Sequence, residues 1–380
     1  MNHPTEPLPL AGIRVVEFTH MIMGPTCGMI LADLGAEVIK VEPPGGDKTR
    51  RLPGLGQGFF RSFNRNKKSV VLAIETPEGA AQAKALIASS DVMIENFRPG
   101  QMLKAGLGYE ALSREQPRLI YVSHKGFLPG PYEHRPALDE VVQMMGGLAY
   151  MTGPPGRPLR AGSSVNDIMG GMFGAIGVLA ALRERERTGR GQEIQSALFE
   201  NCAFLMAQHI QQYQMSGEPP QPMPSRVSAW SVYDVFTLAE DEQLFIAATS
   251  DKQFQTFCDV IGRADLALDP ALATNAQRVA ARPRLLETLG ATLRSQRKSD
   301  LMARLDAAGL AYAPILRPED LVDDAHLKSS GALAPMATDD GGTTQVVLLP
   351  LMLGGRRLGV RSALPKVGEH DTEILATLPS

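Results

Sequence analysis

The sequence predicts an α/β protein: a large doubly wound domain with a parallel sheet, and a second, smaller α/β domain. Three observations predict it. Short β-rich apolar runs alternate with helical spacing from residue 12 to 127. A long, glycine-rich apolar stretch follows at 165–187. A proline-rich polar stretch at 216–228 then separates a region of different patterning.

The alternation begins with GIRVVEF (12–18), a strand, and GPTCGMILADLGA (24–36), whose apolar residues recur at helical spacing up to a glycine. EVIKVEPP (37–44) is strand-like and stopped by prolines, and SVVLAI (69–74) is another apolar strand. TPEGAAQAKALIASS (76–90) is a helix with Thr76 as N-cap and Pro77 at its first position. DVMIENF (91–97) and LIYVSHKGF (119–127) are strands around a helix near 109–115. Strand, helix, strand, helix requires crossovers and so a parallel sheet.

Segment 165–187 is predicted as a buried helix, apolar nearly all round, and 194–215 as a second helix after TGRGQ. SGEPPQPMPSRVS (216–228) is a linker. VYDVFTLAEDEQLFIAAT (232–249) is a hairpin with its turn at Glu240–Glu242, and 251–318 is largely helical, as in KSDLMARLDAAGL (298–310). The last 50 residues return to short strands and Gly/Pro turns.

Composition narrows the function. The net charge of -3 and the lack of a Lys/Arg patch with aromatics argue against nucleic acid. Cys27, Cys202 and Cys258 form neither a disulfide framework nor a zinc pattern, which fits a reducing cytosol; Cys27 reads as a packed thiol, with a reactive one as the alternative. No HxxxH or HExxH pair suggests a metal. The N-terminus lacks a signal-peptide pattern, and no membrane span is expected. GLGQGF (54–59) lies in the wrong context for a dinucleotide fingerprint, and there is no phosphate-binding lysine loop or GxSxG elbow.

One residue stands out. In SSVNDIMGGMFGAIGVLAAL (163–182), Asp167 opens an apolar helix and no other charge follows until Arg183. An acid at a helix start is ordinarily an N-cap, and it also lies where backbone N–H groups and the helix dipole stabilise an oxyanion. The glycines that follow allow close backbone approach, either to another helix or to a ligand, and Gly170 and Gly171 would admit a bulky substrate.

Several segments together resemble the class III CoA-transferases, also called the carnitine dehydratase/bile-acid-inducible family. They are 12–47, NRNKKSVVL (64–72), DVMIENFRPG (91–100), RLIYVSHKGF (118–127), LDEVVQMMGG (138–147), VNDIMGGMFGAIGVLAALRERERTGRGQ (165–192) and GEHDTEIL (368–375). The resemblance implies a Rossmann-like large domain built from both chain ends (1–215 and 346–380), linkers at 216–228 and 325–345, and a small domain at 229–324. It also implies ring-shaped subunits interlocked in a homodimer. Coenzyme A would be a substrate, exchanged between an acyl-CoA and an organic acid, with no tightly bound cofactor.

In that family Asp167 falls at the nucleophilic aspartate, which forms an anhydride and then a CoA thioester. Asp139 falls at an active-site carboxylate, with a cap on helix 139–145 as its plainer role. CoA-lining positions match Met21, Ile22, Leu72, Glu75, Asn96, Phe97, Arg98, Lys104 and Leu198. There are departures. Ile22 stands for a glutamine of the formyl-CoA:oxalate enzymes, Pro43 for an arginine, and Pro136 and Leu138 for a lysine and a tyrosine; the tetraglycine loop is missing, which argues against oxalate.

The α-methylacyl-CoA racemases of the family pair the aspartate with a histidine. Leu138 occupies that place, with His134 the nearest substitute, while His20 and His124 read as loop or strand-edge residues. A racemase and a non-catalytic subunit of a two-chain transferase are the alternatives. Methionines at 21–23, 144–145, 169 and 172 suit either an adaptable acyl pocket or core packing, and Arg160 is a candidate for pairing a distal carboxylate.

Overall fold

A computed structural model describes residues 7–226, 228–338 and 341–378. It divides into two compact units. One takes the chain up to Ser225 and again from Ala325; the other is Arg226–Asp324.

The larger unit is built on a six-stranded parallel sheet. Its strands are β1 (Arg14–Phe18), β2 (Glu37–Glu42), β3 (Lys67–Val71), β4 (Val92–Glu95), β5 (Ile120–Lys125) and β6 (Glu193–Ala197). They lie in the order β3-β2-β1-β4-β5-β6. β1 therefore pairs with β2 on one side (Val16 opposite Ile39) and β4 on the other (Val16 opposite Met93). Both faces are covered, so the strands are apolar throughout rather than alternating: Val15, Val38, Val92 and Ile120 lie in one core, Val16, Ile39, Val70 and Met93 in the other. The strand order reverses between β1 and β4, and such a switch point leaves a crevice at the strands' C-terminal ends.

Five helices matter to the site: α1 (Met23–Asp33), α2 (Pro77–Ala88), α3 (Asp139–Met145), α4 (Val165–Thr188) and α5 (Leu198–Leu205). α2 starts as its sequence predicts, with Pro77 first and the Thr76 hydroxyl accepting from the Gly79 N–H at 3.1 Å. The stretch 194–215 departs from expectation. Its first residues, Glu193–Ala197, form the sixth strand, because their backbone pairs with β5 from Tyr121 to Lys125; α5 and a helix at Ala207–Ser216 follow.

α4 packs its glycines against protein, not a ligand-sized space. A Cβ on Gly171 would lie 2.6 Å from the Met23 carbonyl oxygen, one on Gly170 2.2 Å from the Met23 methyl, and one on Gly174 2.5 Å from the His124 ring. The glycines thus let α4 approach the first turn of α1 and β5, so of the two expectations for them the close approach of a helix holds and substrate clearance at Gly170 and Gly171 is corrected. α4 is also long and apolar enough, by length and composition, to cross a membrane, a test that the core helix of a soluble protein passes too. Its glycine side is packed as above, while Met172, Ile176 and Leu179 on its surface are exposed.

The C-terminal segment returns to this unit. The Asp371 carboxylate accepts from the Val71 N–H at 2.8 Å and His370 N–H donates to the Ser69 carbonyl at 3.0 Å, so the edge strand β3 is covered. Within 325–345, residues Leu333–Ala337 and Thr343–Val347 pair as an antiparallel hairpin.

The smaller unit holds a three-stranded antiparallel sheet, β7 (Val232–Thr237), β8 (Gln243–Ala248) and β9 (Ala311–Pro314). Helices cover it, among them Asp251–Ile261, Arg282–Leu293 and Lys298–Ala307, around a core that includes Phe254, Phe257 and Leu289.

Candidate active site

The two loops at the switch point are tied to each other. The Asn96 amide, just beyond β4, accepts from the His20 N–H at 3.0 Å and donates to the His20 carbonyl at 2.8 Å. Both ends of the side chain are thereby used in holding the β1–α1 loop. The rings of His20 and Phe97 stack at 5.5 Å. Met21 follows with φ of 62°, a left-handed conformation costly for a side chain of its kind. Its N–H donates to the Thr49 hydroxyl at 3.0 Å, which helps to hold that turn.

Beneath the loop lies a buried charge network that no reading of the motifs singled out. Lys67 Nζ reaches Glu17 at 2.8 and 3.0 Å, the Pro25 carbonyl at 2.9 Å and Asn64 at 3.1 Å. Lys40 Nζ donates to the Thr19 carbonyl at 2.6 Å and pairs with Asp47 at 3.1 Å. Buried charges persist only when paired and hydrogen-bonded in this way. Burial holds Lys67 down to about 8, against the pull of Glu17. Two lysines inside apolar strands, VIKVE and NKKSVVL, are the signal that marks the network in the sequence.

The same packing of α4 on α1 brings Asp167 to this loop. Asp167 lies in the first turn of α4, and Gly170 and Gly171, one turn on, rest against Met23, the residue that follows Met21 and Ile22. Asp167 is partly exposed, and among the described residues nothing donates a hydrogen bond to its carboxyl group. Its carboxyl is pushed up to about 7, first by the protein around it, then by the charge of Asp139, with Arg160 opposing. A perturbed carboxyl beside a switch-point loop is a functional-site signature.

Asp139 is 6% exposed and does something its position in the sequence does not show. It opens α3, yet its Oδ1 accepts the backbone N–H of Asn166 at 2.8 Å and of Asp167 at 3.2 Å. It caps α4 across a gap of 28 residues. Its Oδ2 accepts from Gln143, and Arg160 stands 3.9 Å away. The other first-turn donors are used as well, Val165 N–H on the Ser163 carbonyl and Ile168 N–H on Ser164. The expected oxyanion hole of α4 backbone N–H groups is therefore occupied by protein acceptors; only the helix dipole remains for a developing negative charge.

The remaining expected ligand contacts divide by exposure. Met21, Arg98, Lys104 and Glu75 are open to solvent and Phe97 is partly so. Ile22, Leu72 and Leu198 are buried: Leu72 packs in the core that Phe97 borders, and Leu198 packs with Met23 and Val142. These three shape the site from behind rather than by presenting surface. Cys27 is fully buried and burial pushes its thiol up, so it is a packed thiol. His124, expected as a loop or strand-edge residue, is instead buried on β5, which is paired on both sides, and burial holds it down to about 3 and hence neutral. His134 is 85% exposed and beside Glu133, and Leu138 offers no proton-exchanging group.

Residues 10–371 match the model of CoA-transferase family III. The chain belongs to that family. The succinate–glutarate CoA-transferase of Agrobacterium fabrum is 34% identical over 99% of this chain and 97% of its own. The β subunit of the succinyl-CoA–L-malate CoA-transferase of Chloroflexus aurantiacus is 36% identical over 99% and 95%. The acetyl-CoA:oxalate CoA-transferase of Acetobacter aceti is 37% identical over 86% and 87%. Among solved structures, a CaiB/BaiF family protein from Brucella suis superposes with a TM-score of 0.88 at 34% identity, covering 98% of this chain and all of its own. Rv3272 of Mycobacterium tuberculosis superposes at 0.86 with 31% identity, covering 97% and 99%. The chain is thus a class III CoA-transferase, an enzyme that moves coenzyme A from an acyl-CoA thioester to a free carboxylic acid.

Proposed function

We propose that Asp167 is the covalent nucleophile of this transfer and that the acids exchanged are dicarboxylic. The observation that carries the first part is the position of a partly exposed carboxyl group, with no hydrogen-bond donor on it among the described residues, beside the switch-point loop. The second part is supported by the dicarboxylic acids named in relatives, succinate, glutarate and malate.

The chemistry balances without a cofactor or a net proton. A carboxylate oxygen of Asp167 attacks the thioester carbonyl, the C–S bond breaks, and CoA thiolate leaves a mixed anhydride. The thiolate attacks the aspartyl carbonyl and releases the donor acid, giving an aspartyl-CoA thioester. The acceptor carboxylate then attacks that carbonyl and expels CoA thiolate, which attacks the acceptor's acyl carbon and restores Asp167. Each step exchanges one acyl–heteroatom bond for another, so one difficult displacement becomes several easier ones.

Met21, Phe97, Arg98 and Lys104 are the residues placed to meet CoA, the two cations suited to its phosphates. Asn96, Lys40 and Lys67 position the loop beneath it. The enzyme acts as a homodimer in this reading, with Met172, Ile176, Leu179 and Phe204 covered by a second copy.

Intact-protein mass spectrometry of the purified chain with a panel of acyl-CoAs, quenched in acid or trapped with hydroxylamine, tests the nucleophile. A CoA adduct mapped to Asp167 and absent from Asp167→Ala is expected. Exchange of the Cα proton with no adduct, or activity that needs a second chain, would overturn it.

A further inference from the structure

Arg160 is set beside Asp139, the residue that caps the start of α4, by backbone bonds on either side of it. Leu159 N–H donates to the Ala149 carbonyl at 3.0 Å, and Ala161 N–H donates to the Gln143 side chain at 2.8 Å. The guanidinium Nε donates to the Ala161 carbonyl at 3.0 Å, one terminal nitrogen contacts Glu140, and the other stands 3.9 Å from Asp139. Glu140 is 58% exposed at its side chain while Arg160 is 28% exposed. Arg160 therefore presents a partly open cation whose present partner is a solvated carboxylate on a flexible stem.

Asp139 and Glu140 flank this cation, and Asp139 also accepts the backbone N–H of Asp167, so three carboxylates are gathered at this place. A substrate bearing a second negative charge enters a field that repels it unless a cation receives that charge. Guanidinium has five N–H donors in a planar fork, and two are used here, so the fork has donors left for a bidentate carboxylate. Exchanging Glu140 for a substrate carboxylate replaces like with like and leaves no buried charge unpaired.

We propose that Arg160 receives the distal carboxylate of a dicarboxylic acyl group, displacing Glu140, and so selects dicarboxylic over monocarboxylic acids. This rests on Asp167 as the nucleophile. A substrate anchored by its reacting carbon at Asp167 and by its far end at Arg160 is held in one register. Asp139, which lies between the two, fixes both ends of that span: it caps the helix that carries Asp167 and faces the guanidinium.

The experiment compares glutaryl-CoA with pentanoyl-CoA, equal in chain length and differing in the distal carboxylate. The rate of the Asp167 adduct is measured by mass spectrometry in wild type, Arg160→Met, Arg160→Lys and Glu140→Gln, each checked for folding by circular dichroism. Wild type is expected to favour glutaryl-CoA. Arg160→Met should lower the glutaryl-to-pentanoyl ratio about 10–100-fold, the worth of charge-assisted hydrogen bonds. Arg160→Lys should keep part of the ratio, and Glu140→Gln should raise it by freeing the fork. Equal losses on both thioesters in Arg160→Met would make the role structural and overturn the inference, as would a wild type without preference. If Arg160→Met does not fold, a Glu140→Gln ratio that fails to rise overturns it instead. No adduct from either thioester in wild type would refute the nucleophile itself, a failure distinct from a lost preference.

Discussion

Replacing Asp167 by Asn separates the ionisation of this side chain from its size. The carboxyl lies at about 7 in the fold, against 3.8 for an unperturbed group. A raised acid contributes stability that is fully present below the unfolded value and is lost as pH rises toward the folded one, because the unfolded chain gives up the proton first. At about 1.4 kcal/mol per unit, the loss is about 2 kcal/mol at pH 5.5 and levels off at about 4 kcal/mol by pH 8.5. Asn titrates nowhere in this range. Asp167→Asn should therefore be more stable than wild type, by a margin that widens by about 2 kcal/mol from pH 5.5 to 8.5. Paired urea unfolding at fixed protein concentration measures that margin at each pH. A margin that stays constant, or narrows as pH rises, would refute the account of Asp167 as a carboxyl strained by burial and by Asp139.

Other consequences concern activity and packing. Adduct formation on Asp167 should rise with pH and reach half its plateau near 7, since only the carboxylate attacks; a rate flat between pH 5 and 9, followed by quenched-flow mass spectrometry of the adduct, would contradict this. Asp139→Asn keeps an oxygen acceptor for the Asn166 and Asp167 N–H groups and removes the charge, so that midpoint should shift to lower pH, whereas Asp139→Ala should in addition lose about 1 kcal/mol of stability with the cap. Lys67→Met leaves the buried Glu17 with only the Thr19 hydroxyl at 3.0 Å and Lys40 at 3.8 Å, and should destabilise the fold by about 3 kcal/mol in thermal or urea unfolding, with partial recovery in the Glu17→Gln/Lys67→Met double variant. Gly171→Ala drives a methyl into the Met23 carbonyl and should cost about 1–3 kcal/mol while slowing adduct formation, because the start of α4 must shift.

The parallel sheet was legible because its strands are apolar on both faces and its crossover helices carry ordinary start signals, as Thr76 and Pro77 show. β6 was not. Glu-Ile-Gln-Ser-Ala has no strong period of its own and becomes a strand because β5 offers it an unpaired edge. Asp167 was legible as a lone acid before an apolar run. The role of Asp139 was not, since a cap is normally sought within three residues and this one comes from 28 residues away. The glycines of α4 were visible, but a sequence does not say whether a missing Cβ makes room for a ligand or for another helix; Met23 and His124 occupy that room here.

One side chain thereby ties together fold and chemistry. Asp139 satisfies two donors that would otherwise face the active site and anchors the start of α4 in the same bond set. The helix N-terminus then has no free N–H in its first turn for an oxyanion, and its dipole is what it still offers a developing negative charge. In exchange, the charge of Asp139 joins burial in holding the Asp167 carboxyl near neutrality, where it gains nucleophilicity as a stronger base yet remains substantially ionised in mildly alkaline solution. Arg160 opposes that effect, and a substrate carboxylate seated on Arg160 takes the place of Glu140 and so leaves the opposition nearly unchanged. A dicarboxylic substrate should then leave the Asp167 midpoint close to that of a monocarboxylic one, so pH profiles for glutaryl-CoA and pentanoyl-CoA should nearly coincide in wild type. In Arg160→Met, where no guanidinium receives the distal charge, the glutaryl-CoA midpoint should rise above the pentanoyl-CoA one.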